Sequence, residues 1–386
     1  MTQHKKIHLP LFILMASITF MAILSELVPA GILPLMSQDL GVSESKVGLL
    51  VGYYAIASAL CSIPLITATL HINRKFLLMT LLVAFALSNF LVGWTHSYSV
   101  MIVARIIGGA AAGVLWPMIS AYGMRLVPKE LHGRAIAIIM SGTTFGLSLG
   151  MPLMTSIGQR FGWRIEYYVV GGLILTIALL SALFLPSISG EKVAKDSSPL
   201  TLLKQPSILL VLALTLLAVI AHYAAYTYIT AIVDALAFSG GIQMALILFG
   251  IGSIISVWIA GRYVDEHLYL LSLFLLSTGV ISMGLFLSSA FIHIVSYLGF
   301  LLWGVSFGAL VTLFQAAITR QVSSGTDIAT SLQSSTFNLA IMIGSWVGSI
   351  LLSSPNRSAL SIVTLAFILL IISVVVSYVS KPTLDK

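Results

Sequence analysis

Cysteine and charge are the scarcest features of this chain, and each shortage removes a class of protein. The single cysteine, Cys61, lies in an apolar run, so neither an intrachain disulfide nor a thiolate metal site can be built. Charged residues make up 8% of the 386 positions, against about 25% in an average soluble domain, while 59% are hydrophobic and the mean hydropathy is +1.07. A water-soluble core cannot absorb that much apolar surface. Missing too are H-E-x-x-H, a Walker loop, a nucleophile elbow and any pair of Asp within one apolar run, so an enzyme is not indicated. No repeated selectivity element points to a channel. The formal charge of +7 is spread singly over short loops instead of forming a patch, which argues against a nucleic-acid partner.

What the chain does have is a succession of long apolar runs. They fall near 9–34, 46–70, 76–94, 99–122, 135–158 and 165–186, and then near 207–233, 241–262, 268–290, 293–318, 327–352 and 359–379. One helix needs about 20 apolar residues to cross hydrocarbon, so each run predicts one crossing and the whole predicts an all-α membrane protein of twelve spans. The first run exceeds a signal-peptide core and lacks a clear small-residue cleavage site, so it is read as span 1. β-Barrel strands would alternate apolar and polar residues, and these runs do not.

Orientation follows from the basic residues, which are retained on the cytoplasmic side of short loops. With both termini inside, only Lys46, Arg160, Arg164 and Arg357 of the nineteen Lys and Arg face outward, and Arg105 lies within span 4. The remaining fourteen, Lys5, Lys6, Lys129, Lys192, Lys195 and Lys386 among them, are cytoplasmic. The longest polar interruption, SISGEKVAKDSSPLTLLKQP, has six spans on either side. It predicts two pseudo-symmetric six-helix bundles, 1–186 and 207–386, joined by a cytoplasmic linker at 187–206.

Several segments carry a family likeness. Span 1 ends in SELVPAGILPLMSQDLGVS, and span 4 contains Arg105-Ile-Ile-Gly-Gly-Ala-Ala-Ala-Gly. Span 5 reads SGTTFGLSLGMPLMTSIGQRFGWR, span 7 includes AHYAAYTYI, and span 11 includes FNLAIMIGSWVG. Together with the six-plus-six plan, these resemble the drug and metabolite:proton antiporter group of the major facilitator superfamily, especially its bacterial sugar-efflux-like branch. The resemblance covers essentially the whole chain. It implies the acidic position of span 1 for Glu26 and the span 4 arginine for Arg105. It also implies the antiporter signature for Gly142, Gly146, Gly150 and Pro152, with Met151 inserted before the proline. The loop after span 2, ITATLHINRK, departs from the family pattern by placing Leu70 where an Asp is expected, and keeps Arg74 and Lys75.

The residues themselves lead to a compatible picture. An ionised side chain at the centre of a span costs about 2.5–3.5 kcal/mol on insertion scales, so Glu26 needs a water pathway, a partner or a proton. Thr19, Ala22 and Ala30 share its face, a stripe of small residues suited to a cavity wall, and Pro29 and Pro34 bend or end the helix beyond it. Glu26 is thus either a coupling site, releasing its proton inward and regaining one from outside, or half of a structural ion pair. Arg105, about 9 Å from the outer end of span 4, either serves that coupling and binds electronegative substrate groups or caps carbonyls of a neighbouring helix. Trp116 continues its face and offers either a stacking surface or packing. Span 7 places His222, Tyr223, Tyr226 and Thr230 on one face, a wall suited to hydroxyl-bearing ligands, although a lone histidine is more often a packing residue. In span 11 interhelical hydrogen bonding accounts for the serines, and Asn338 is the substrate-contact candidate. Gly142, Gly146 and Gly150, spaced by four, form a flat strip, expected at the interface between the halves, where a neighbouring helix can pivot.

The expected function is proton-coupled efflux of a small organic molecule, such as a sugar, nucleoside-like metabolite or drug, across the bacterial cytoplasmic (inner) membrane. The partners would be the substrate, protons and the bilayer, with no other cofactor, no metal and a monomeric transport unit. A proton-coupled importer or a facilitator fits the same residues, and a sensor would need an output domain that the short tails do not offer.

Overall fold

The computed structural model describes residues 8–128, 131–190, 202–264, 266–288, 294–322, 326–354 and 358–381. The middle of the expected linker, 191–201, lies outside them, as do Lys5, Lys6, Lys129, Lys192, Lys195, Arg357 and Lys386. Twelve helical segments among the described residues are long and apolar enough to cross a membrane. In the first sextet they are Leu9–Gly31, Glu44–Ser62, Arg74–Trp94, Tyr98–Met124, Ala135–Phe161 and Trp163–Phe184, and in the second Pro206–Tyr226, Gly241–Tyr263, Leu268–Ser288, Val295–Arg320, Ala329–Ser353 and Leu360–Val379. The reason is the one that made them legible: hydrocarbon offers no partner to a peptide group, so each crossing satisfies its own backbone as a helix. Trp94, Leu183, Phe184 and Trp258 are each more than 60% exposed, which suits lipid and would be costly in water.

Four spans are interrupted helices, and in span 1 the break falls where Pro29 and Pro34 are expected to bend or end the helix. Span 1 stops at Gly31, and a short helix, Leu33–Leu40, follows after Ile32. Pro34 occupies the first turn of that helix, where its missing N–H costs nothing, and Gly41 closes it with φ +62°. Span 7 breaks at Thr227 and Tyr228 before resuming as Ile229–Ala235. The break aims the Tyr228 hydroxyl at the Ser345 carbonyl of span 11, 2.9 Å away. Span 10 breaks between Phe307 and Leu310, where the Ala309 N–H leaves the helical ladder and donates to the Ser256 hydroxyl at 3.1 Å. Span 5 holds a π-helical turn at Gly146–Gly150, directly before Met151 and Pro152. A π-turn winds more residues into one turn than an α-helix does, and Pro152, which has no N–H to offer the ladder, follows it.

The chain forms two compact units, 1–28 with 56–194, and 29–55 with 195–386. Inside the first, span 3 packs on spans 4 and 6, span 4 meets span 2 where Gly113 adjoins the Ser58 backbone, and span 5 lies on span 1. Inside the second, span 9 packs on spans 10 and 12, span 10 on span 8, and span 11 on span 7. Adding six to each span number of the first set gives the second. The same packing order thus recurs six spans later along the chain.

Candidate functional site

In the first unit the two ionisable residues singled out from the sequence stand together. Glu26 is 3% exposed, Arg105 1%, and the two are within electrostatic reach. Two hydrogen bonds run from Arg105 to the span 1 main chain: Nη1 donates to the Ser25 carbonyl and Nη2 to the Glu26 carbonyl, both at 2.5 Å. The chemistry of Pro29 explains this choice. In an α-helix the carbonyl of residue 25 accepts from the N–H of residue 29, and proline has none. Arg105 supplies the donor that Pro29 lacks. Asn89 of span 3 adds to the cluster by donating to the Ser25 hydroxyl at 2.8 Å and to the Phe85 carbonyl at 2.8 Å. Sequence reasoning passed over Asn89, although an amide in the middle of an apolar run was the available signal.

The rest of the span 1 face is packing. Ala22 and Ala30 are buried, and Thr19 donates to the Ile139 carbonyl of span 5 at 2.5 Å. Trp116, half-buried, lies eleven residues beyond Arg105, about 16 Å along the helix at 1.5 Å per residue, so the structure does not bring the two together.

In the second unit His222, Tyr223 and Tyr226 do gather, but around one another. His222 stacks on Phe307 with ring centroids 3.3 Å apart and on Tyr226 at 5.2 Å, and Tyr223 and Trp303 meet it edge-on. Trp303 donates its indole N–H to His222 Nδ1 at 3.0 Å. Because Nδ1 accepts, it carries no proton, and the imidazole is neutral with its hydrogen on Nε2. Trp303 and Phe307 could not be assigned from spacing, since span 10 offers several aromatics and only the packing on span 7 shows which of them meet His222. The Tyr226 and Thr230 hydroxyls are buried without a hydrogen-bond partner among the described residues. Asn338 is 6% exposed and donates its amide N–H to the Ser334 carbonyl of its own helix at 2.9 Å. Trp303→Phe should therefore lower the unfolding stability in detergent by about 1–3 kcal/mol, the cost of stranding a buried acceptor. An unchanged melting temperature would show that His222 finds another donor.

No group of three or more His, Cys, Asp or Glu able to hold a metal ion occurs among the described residues. The sequence profile of the Major Facilitator Superfamily matches residues 15–329, most of the chain. The chain belongs to that superfamily. Its fold is similar to two crystal structures of the nucleoside transporter NupG. One, of a point mutant, matches at 15% identity with a TM-score of 0.72, covering 97% of this chain and 100% of that one. The other NupG structure matches at 14% identity and 0.70, covering 98% and 100%. At such identities the likeness is one of fold. Superfamily membership makes this protein a multi-pass membrane transporter of small solutes and not an enzyme.

Two segments that carry the sequence resemblance take a particular form here. Gly142, Gly146 and Gly150 form a strip of close approach, and the atoms nearest to it belong to span 1 of the same unit. A Cβ on Gly142 would run into the Ala16 carbonyl, one on Gly146 into Ile23, and one on Gly150 into Phe20 and Leu24. In the loop after span 2, Arg74 donates to the Leu70 carbonyl at 2.6 Å, so a main-chain oxygen takes the hydrogen bond at the position where an Asp is expected.

Proposed function

We propose that this transporter is a proton-coupled antiporter that expels a small organic molecule, a sugar, a nucleoside-like metabolite or a drug, from the bacterial cytoplasm by alternating access. The observation that carries the reading is the pair formed by Glu26 and Arg105, a carboxyl group buried at membrane depth beside a cation that is itself engaged with the main chain of the same helix. A carboxyl placed so can exist ionised only next to that charge or in contact with water, and neutral otherwise, which is the requirement for a site that alternates between proton and cation. The signature glycines of span 5 support antiport over uptake. In this reading both termini face the cytoplasm, the halves are the six-span bundles, and one chain is the transport unit.

The coupling is tested in sealed proteoliposomes carrying a pH gradient and offered a panel of sugars, nucleosides and drugs. Substrate movement opposite to proton movement, abolished in Glu26→Gln while substrate binding survives, is the expected result. Flux indifferent to the gradient and intact in Glu26→Gln would make the protein a facilitator with a structural glutamate. A second reading, proton-coupled uptake, is favoured by the likeness of the fold to a nucleoside transporter. It predicts nucleoside and proton moving in the same direction in that assay.

A further inference from the structure

A second buried carboxyl group stands on span 6, and the coupling described above makes no use of it. Glu166 lies in the first turn of that span, on the helix face that Trp163, Tyr167, Val170 and Ile174 bury at spacings of three and four. Its accessible surface is zero, and neither side-chain oxygen has a hydrogen-bond partner among the described residues. An ionised carboxylate cannot be left bare in such surroundings, whereas a neutral carboxylic acid can.

The charged and titratable groups on the adjoining elements do not neutralise it. Spans 3 and 5 pack against span 6. Beyond the end of span 3, His96 is bonded to Arg164, whose guanidinium also donates to the Thr95 carbonyl and lies over the Trp163 ring. Arg164 sits some 200° around the helix from Glu166 at 100° per residue, on the opposite face. Arg160, in the last turn of span 5, is exposed. From span 4, Arg105 acts on Tyr167, which is also within electrostatic reach of Glu166. The Tyr167 hydroxyl is buried without a hydrogen-bond partner among the described residues, as is that of Thr155 on span 5. Glu166, Tyr167, Arg105 and Glu26 therefore form a chain of electrostatic neighbours within one unit.

We propose that Glu166 is a second proton-binding site of the first unit, taking up a proton as the buried acid seen here and releasing it as a carboxylate when water reaches this end of span 6. The site is read from burial and missing partners alone. Only its consequence, a second proton available to the transport cycle through Tyr167 and Arg105, rests on the coupling proposed above.

Infrared difference spectroscopy of the full-length protein in lipid, stepped in pH without substrate, tests the site directly. The C=O stretch of protonated carboxyl groups is expected to include, beside the band of the exposed acids, two pH-dependent components from buried ones. Glu166→Gln should remove one and leave the component that Glu26→Gln removes, and Glu166→Asp should retain a pH-dependent band at a shifted frequency. Difference spectra of Glu166→Gln that superpose on wild type, with the variant folded by its melting temperature, would overturn the proposal. A spectrum in which the Glu166 component is present and the Glu26 component is absent would uphold it while removing the basis of the Glu26 coupling.

Discussion

Arg105→Met is expected to cost about 2–4 kcal/mol of unfolding stability, measured by denaturant titration in detergent or lipid. Two magnitudes bound the figure. Hydrogen bonds from a charged donor contribute about 1.5–3 kcal/mol each, and Arg105 makes two such bonds to the span 1 main chain. Interhelical hydrogen bonds in membranes average only about 0.6 kcal/mol, because the unfolded chain in the bilayer finds other partners. The Ser25 carbonyl has few alternatives, since Pro29 removes its helical donor, and this favours a value above the membrane average. The same reasoning predicts a rescue. Pro29→Ala restores an N–H to position 29, so Pro29→Ala combined with Arg105→Met should recover part of the loss, whereas Pro29→Ala alone should gain little. Purely additive effects in that double-mutant cycle would mean that Arg105 stabilises through something other than the vacancy Pro29 creates. Arg105→Lys should fall between wild type and Met, because one ammonium cannot present the planar fork that serves two carbonyls.

Gly142→Val should be at least as damaging, about 3 kcal/mol or more, near the upper end of overpacking costs. A Cβ there meets the Ala16 carbonyl and the Thr19 hydroxyl. Neither is the flexible tip of a long side chain, so spans 1 and 5 must separate. Separation also breaks the bond from Thr19 to the Ile139 carbonyl. Gly172→Ala supplies the control, since nothing lies within 4 Å of a Cβ at that position on span 6, and its effect should be no loss and at most a gain of about 1 kcal/mol from helix propensity. A Gly142→Val protein that keeps its melting temperature but loses transport would separate the glycine's functional role from its packing role.

The division between what was legible and what was not follows the range of the interactions concerned. Membrane class, the number of crossings and the six-plus-six pattern could be read from the sequence because the cost of an unpaired peptide group or a charge in hydrocarbon is local, incurred residue by residue along the chain. Glu26 and Arg105 stood out for the same reason, each an ionisable group well inside an apolar run. Glu166 did not, because the first turn of a span reads as interfacial until its neighbours are placed, and only packing shows that it is buried and without a partner among the described residues. The same holds for the donor to His222, which lies 81 residues away on span 10, and for the partner of the glycine strip, which periodicity announces without naming. Sequence alone thus determined that this chain crosses a membrane twelve times and where charge would be costly. Tertiary structure alone decided which carbonyls Arg105 serves, which nitrogen of His222 is bare and which carboxyl group is buried with no donor among the described residues, since each depends on contacts between helices distant in sequence.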